Sequence, residues 1–323
     1  MAKVEILVLG AVRPATREAL ERDFICHDAN EPADVETIAA EAGDQIRGIA
    51  RGGHFHADKA LLARFPKLEI FSNFGVGYDG IDLDYCAGKG IVVTNTPDVL
   101  TEEVADTALG LLLTTVRELS AAEQYLRAGR WETEGASPLT KATLRNRTVG
   151  ILGLGRIGMA IARRLDAMQV PVVYHSRREK ADAGYRYYGD LKAMLEAIDT
   201  LVIVVPGTAE TTNLIDADML KALGPDGIVI NVGRGTVIDE PALIEALASR
   251  TIQAAGLDVF AKEPHVPEAL IALDNVVLFP HLGSASHHTR DAMGKLMVDN
   301  LKGWFENGEP LTPVPETPVP AKG

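Results

Sequence analysis

Three polar residues in the second half of the chain each close a short apolar run: Arg234 in NVGRG, Glu263 in DVFAKEP and His281 in FPHLGS. A guanidinium can hold a carboxylate and polarise a carbonyl, and an imidazole can give and take a proton near neutral pH. A carboxylate beside the imidazole keeps it protonated. Together these are the parts that hydride transfer to a 2-oxoacid requires. Each residue alone has a plainer reading: a surface arginine in a glycine turn, a loop carboxylate, a satisfied histidine after a strand. Their joint occurrence points to a site, because all three fall beyond the carboxyl ends of predicted strands, where open α/β sheets bind ligands.

A hydride needs a carrier, and ILGLGRIGMAIARRL supplies the pattern for one. Gly153, Gly155 and Gly158 sit between an apolar run and a helical stretch opened by Arg156 and Ile157. At a strand-to-helix turn such glycines let the backbone approach a pyrophosphate at the helix N-terminus. The acidic residue that grips the adenosine ribose in NAD enzymes belongs about 20 residues further on. This chain places Ser176, Arg177 and Arg178 there, in HSRR. A carboxylate would repel a 2′-phosphate, whereas a hydroxyl and two guanidiniums bind it, so the expected cofactor is NADP(H). His175 either stacks on the adenine or fills space.

Elements of alternating type must position these groups. VEILVLG (4–10), QIRGIARGG (45–53), LEIFSNFG (68–75) and IVVTNTP (91–97) read as strands separated by helical stretches such as ADKALLARF. A second series follows: TVGILGLG (148–155), PVVYHS (171–176), TLVIVVP (200–206), GIVINVG (227–233), QAAGLDVF (253–260) and VVLFPH (276–281). Continuous apolar runs linked by helices predict parallel sheets covered on both faces. One domain is therefore expected over 1–100 and another over 101–285. Between the series, a stripe through Val104, Ala108, Leu111, Leu112, Thr115 and Leu119 predicts one long helix from Thr101, as N-cap, to Gly129. The tail NGEPLTPVPETPVPAKG, with five prolines, reads as extended or disordered.

Composition narrows the class. The 323 residues are 46% hydrophobic, enough for two cores. A net charge of −13 argues against a nucleic-acid surface. No apolar run reaches the roughly 18 residues needed to cross a bilayer, and the first residues read as a buried strand, so no membrane association and a cytoplasmic location are expected. Cys26 and Cys86 stand in no metal-like spacing and read as free thiols. His54 and His56 in GGHFH have ligand-like spacing with no third ligand nearby and read as loop residues. His287 and His288 read as the polar start of the last helix. No metal site is expected.

Along essentially its whole length the chain resembles the D-isomer-specific 2-hydroxyacid dehydrogenases. The resemblance is carried by NFGVGYDGID, TPDVLTEEVADTALGLLL, GLGRIG, NVGRG, GLDVFAKEP and PHLGSAS in that order. It implies an α/β fold of two doubly wound parallel-sheet domains, Rossmann-like and flavodoxin-like, with a cleft between them. The chain would return to the first domain at about 286 for a final helix, completing it with 286–323. It also implies that Arg234 holds the substrate carboxylate and carbonyl oxygen, and that His281 is the acid in reduction. Glu263 would pair with the imidazole and raise its pKa above about 6.5. Backbone amides of Val76 and Gly77 would bind the other carboxylate edge, Asp258 would contact the nicotinamide side, and Val205, Pro206 and Thr211 would line the adenosine end. Arg51 is expected to favour a polar substrate tail. The helix from Thr101 would be the element of a homodimer. Within the family the chain looks closest to NADPH-preferring glyoxylate/hydroxypyruvate reductases. The alternatives are a reductase of larger 2-oxoacids such as phenylpyruvate, or a dinucleotide-sensing binding protein like the C-terminal-binding-protein corepressors.

Overall fold

Most of the apolar runs become parallel strands whose residues are nearly all buried. The computed structural model describes residues 3–53 and 55–319. The chain divides into two compact units, one joining the chain up to Leu100 with the chain from Ser286 onward, the other being Thr101–Ala285.

In the first unit, β1 (Val4–Leu9), β2 (Phe24–Ala29), β3 (Ile46–Arg51), β4 (Ile70–Asn73) and β5 (Val92–Thr94) are all parallel and lie in the order β2-β1-β3-β4-β5. This is the flavodoxin-like order. The period of two along β1 sorts the core into two faces. Ile6 and Val8 pack with Leu20, Met297 and Leu301 of helices Pro14–Asp23 and His287–Asn307. Leu7 and Leu9 pack with Val35, Leu62 and Cys86 beneath helices Pro32–Ala42, Lys59–Leu62 and Leu83–Lys89. The strand β2 was not expected, because FICHDA alternates poorly; it lies at the sheet's edge, where Ile25 is 45% exposed.

The second unit holds β6 (Val149–Leu152), β7 (Val172–His175), β8 (Arg186–Tyr187), β9 (Thr200–Ile203), β10 (Ile228–Asn231), β11 (Ala254–Leu257) and β12 (Val276–Leu278) in one parallel sheet, ordered β12-β11-β10-β9-β6-β7-β8. This is the dinucleotide-binding order extended by one strand, and its direction of winding reverses between β6 and β9. Ligands bind at such a reversal because the two neighbouring connections leave in opposite directions and open a crevice.

Two expectations are corrected. The predicted helix from Thr101 to Gly129 is three helices: Thr101–Val116, Leu119–Arg127 and Arg130–Glu134. Thr101 is the first helical residue rather than the cap. The β-branched run Thr114–Thr115–Val116 weakens the first helix at its end. Glu118 then takes φ +50 and its carboxylate accepts the amide of Lys141 at 3.0 Å. The stripe through Val104, Ala108, Leu111, Leu112 and Thr115 is buried against this unit's own β10, β11 and helix Arg156–Ala167, whereas Leu119 is 48% exposed.

The proline-rich tail is the second correction. It does have something to bury, because β5 is an edge strand with unpaired backbone groups. Val314 N donates to Val93 O at 2.9 Å, Val93 N to the Thr317 hydroxyl at 2.8 Å, and Asn95 N to Thr312 O at 3.3 Å. The prolines at 313 and 315 alternate with the pairing residues Thr312 and Val314, so their missing N–H groups cost no bond. Val314 and Thr317 are each only 2% exposed.

Candidate active site

The strands β10, β11 and β12 are neighbours and parallel, so their carboxyl ends share one edge, and the three chemical residues follow from it. Asn231 ends β10 fully buried; its amide donates to Arg234 O at 2.9 Å and its Oδ1 accepts from Gly233 N at 3.0 Å, which shapes the turn that presents the half-buried Arg234. Arg234 Nη1 donates to Gly233 O at 2.8 Å. The next residue must be glycine: a Cβ on Gly235 would lie 1.9 Å from the carbonyl carbon of Phe260. This contact lays the arginine turn directly on the segment that carries Glu263.

Glu263 uses both oxygens. Oε1 accepts from Phe260 N at 3.0 Å, and Oε2 lies 2.6 Å from His281 Nδ1. The carboxylate therefore fixes the ring, and proton transfer falls to Nε2. His281 itself has φ +50, with its amide donating to Asp258 O at 2.9 Å. The Asp258 side chain, 1% exposed, accepts from Leu282 N at 2.7 Å and Gly283 N at 2.9 Å. Burial pushes its carboxyl upward from the usual range while those two amides pull the other way. Its carboxylate holds the turn that carries His281. Asn231 was missed as a support, and so was Glu240, which accepts from Ala261 N at 3.2 Å. Neither belongs to a spacing pattern that singles it out.

The glycine turn lies at the winding reversal. Gly153, with φ +100, donates to His175 O at 2.9 Å and packs against Val205, so the ends of β6, β7 and β9 meet there. Helix Arg156–Ala167 begins with Gly155 as cap, so no side chain of the cap covers its first amides. A Cβ on Gly158 would lie 2.2 Å from Gly153 O, which shows how closely helix and turn approach. A tight turn with glycine as the helix cap, at a helix N-terminus, fits a dinucleotide pyrophosphate. Ile157, half-buried, follows Arg156 in the first turn. Beyond β9, the Thr211 hydroxyl donates to Pro206 O at 2.7 Å and accepts from Thr208 N at 2.8 Å, closing the loop after Val205. At the end of β7, Arg177 and Arg178 are exposed and the Ser176 hydroxyl donates to Arg178 O at 2.7 Å. His175 Nδ1 is 2.9 Å from Tyr188 O, a specific backbone contact at this strand end.

The remaining candidates are in the other unit, after β4. Asn73, 1% exposed, donates from Nδ2 to Gly75 O at 3.2 Å and Gly77 O at 2.9 Å, while Asn95 Nδ2 donates to Val76 O at 2.9 Å. Thr96 N also donates to Gly75 O at 3.0 Å. A trans peptide points its N–H opposite its C=O. Anchoring the carbonyls of Gly75 and Val76 therefore turns the amides of Val76 and Gly77 away from their anchors. Arg51 is only 6% exposed and donates to Asn73 Oδ1 at 3.2 Å. It ends β3, beside the residue that anchors the turn. Of the histidine pair in GGHFH, His54 lies outside the described residues and His56 is exposed. His287 opens the final helix behind the Ser286 cap, and its Nδ1 lies 2.8 Å from Arg13 Nη2. Among the described residues no cluster of His, Cys, Asp and Glu could hold a metal ion, and no helix is long and apolar enough to cross a membrane.

Fold order, glycine cradle and the Arg–Glu–His edge define a dinucleotide-dependent dehydrogenase. Residues 109–283 match the model of the D-isomer specific 2-hydroxyacid dehydrogenase NAD binding domain. The chain is similar to an NADPH-dependent glyoxylate/hydroxypyruvate reductase from Sinorhizobium meliloti, solved in complex with NADP and malonate: 53% identity, 100% of both chains covered, TM-score 0.96. It is 45% identical to glyoxylate/hydroxypyruvate reductase B of Pectobacterium atrosepticum, over 93% of this chain and 94% of that one. It is 42% identical to the hydroxyphenylpyruvate reductase of Plectranthus scutellarioides, over 97% of this chain and 100% of that one. The chain belongs to the D-isomer-specific 2-hydroxyacid dehydrogenase family.

Proposed function

We propose that this chain reduces a small 2-oxoacid, glyoxylate or hydroxypyruvate, to the D-2-hydroxyacid at the expense of NADPH. The observation that carries the reading is the 2.6 Å contact between His281 Nδ1 and Glu263, on the sheet edge that also presents Arg234. Arg234 holds the substrate carboxylate and draws charge onto the carbonyl oxygen; His281 gives that oxygen its proton and takes it back in the reverse direction. When bound, the reduced nicotinamide supplies the hydride. The cradle of Gly153, Gly155, Arg156, Ile157 and Gly158 holds the pyrophosphate, and Val205, Pro206 and Thr211 line the adenosine end. Ser176, Arg177 and Arg178 meet the 2′-phosphate. Asp258, which holds the turn of His281, contacts the nicotinamide side of the cofactor. The amides of Val76 and Gly77 take the other edge of the carboxylate, and Arg51, bonded to Asn73, favours a polar substrate tail.

Supporting the substrate class and cofactor are the relatives from Sinorhizobium and Pectobacterium, both glyoxylate/hydroxypyruvate reductases, the first NADPH-dependent. The hydroxyphenylpyruvate reductase relative supports a second reading, an aryl 2-oxoacid. Initial rates with glyoxylate, hydroxypyruvate and hydroxyphenylpyruvate, each with NADPH and with NADH, decide between them. The fastest kcat/KM is expected for NADPH with a small acid. An aryl preference supports the second reading. Absence of turnover with every acid would put a dinucleotide-sensing binding protein in its place.

The same reading includes a homodimer in the cytoplasm. The helix Thr101–Val116 buries its stripe inside its own unit, so the apolar surface offered to a second copy lies further along, at Leu119, Leu126, Trp131 and Leu139, which are 48%, 55%, 62% and 94% exposed. Two free thiols fit a reducing compartment. Light scattering at micromolar concentration is expected to give twice the chain mass, and a monomer would refute the assembly.

A further inference from the structure

The basic turn Ser176–Lys180 rests on two tyrosines. Tyr174 of β7 and Tyr187 of β8 are register partners in the parallel pair, and their rings pack with centroids 5.3 Å apart at 46°. Tyr174 is fully buried, and its hydroxyl accepts from Lys180 N at 2.8 Å and donates to Lys180 O at 3.3 Å. Tyr187 is half-buried and its hydroxyl donates to Ser176 O at 3.1 Å. One phenol therefore ties the first residue of the turn, its neighbour ties the last, and the Ser176 hydroxyl bridges to Arg178 O between them. Arg177 and Arg178, both exposed, are the residues so framed.

We propose that Tyr174 and Tyr187 are positioning residues that set the preference for a 2′-phosphorylated dinucleotide over its unphosphorylated form. This rests on the reading that Arg177 and Arg178 meet the 2′-phosphate. Two flexible guanidiniums on a loose turn must be ordered when the phosphate arrives, which subtracts from affinity. A turn already tied at both ends has part of that ordering done in advance. NADH carries no group for these arginines, so the clamp has nothing to contribute to it. The two-residue β8 thereby acquires a purpose: it adds one short strand to the sheet edge beside β7 and brings a phenol beneath the turn.

The test measures dissociation constants for NADPH and NADH by nucleotide fluorescence, and separately kcat/KM for each with saturating glyoxylate. Tyr187→Phe removes only a hydroxyl from a half-buried ring. It is expected to weaken NADPH binding about threefold to tenfold, the range for one lost hydrogen bond, while NADH binding stays within about twofold. Tyr174→Phe should move the ratio the same way. The double variant Arg177→Ala with Arg178→Ala should lower the NADPH-to-NADH affinity ratio about a hundredfold. If Tyr187→Phe leaves the ratio unchanged while the arginine variant collapses it, the clamp is wrong and the arginine reading stands. If Tyr187→Phe weakens both nucleotides equally, the tyrosine is merely structural and the proposal fails. An arginine variant that keeps its full NADPH preference overturns the underlying reading and the proposal with it.

Discussion

The glycine-containing turns that follow β6 and β4 are held in opposite ways. The turn after β6 is local: Gly153, Gly155 and Gly158 build it within six residues, and its support is the helix that those same residues open. The turn after β4 is remote: Gly75, Val76 and Gly77 are oriented by Asn73, by Asn95 and Thr96 beyond β5, and by the tail, where the Thr312 hydroxyl donates to Asn95 O at 2.6 Å. Asn300 of the last helix in turn binds Thr312 through Nδ2 at 2.8 Å and accepts its amide at 2.9 Å. A cofactor that presents the same pyrophosphate every time can be met by a fixed backbone shape. The two amides proposed to meet a substrate carboxylate edge have their direction set from far along the chain.

The difference predicts different ways to fail. Gly158→Val should be the most damaging of the changes to the two turns. Its Cβ starts 2.2 Å from Gly153 O, so the cradle must shift, and dissociation constants for NADPH and NADH should both rise between about tenfold and a hundredfold, as overpacking of about 1–3 kcal/mol implies. Equal nucleotide affinity in variant and parent would show that the close approach is not needed. Asn73→Ala strikes the remote turn at its buried anchor, and KM for glyoxylate should rise about tenfold while the NADPH dissociation constant holds. Weakened NADPH binding would mean the two turns are not separable. Thr312→Val acts one step further out and should raise the same KM only about threefold, with Thr312→Ser restoring it. An unchanged KM would detach the tail from the substrate turn.

The local turn was legible in the sequence because its residues are contiguous and of restricted type. The same holds for Arg234, Glu263 and His281, each of which ends an apolar run at one edge of a predictable sheet. The remote turn was legible only as a glycine-rich stretch. Asn73, Asn95 and Thr312 are ordinary polar residues whose meaning lies in partners found by folding. Composition left the tail open between extended and disordered, and could not show that part of it pairs along the edge of β5. Periodicity misled at Glu118, since an apolar stripe carries no mark of a single left-handed residue. Arg51 ends the strand it was read on, and its bond to Asn73 Oδ1 follows from packing that no spacing reveals.

On the proposed reading, one sheet edge holds His281, the proton donor, in place independently of cofactor binding. The most direct measurement is the pair of kcat on glyoxylate and NADPH dissociation constant for His281→Asn. The predicted result is a kcat lower by about 10²–10⁴-fold, the usual worth of a positioned general acid, with NADPH affinity within about twofold of the parent. A His281→Asn enzyme that turns over glyoxylate at the parent rate would contradict it.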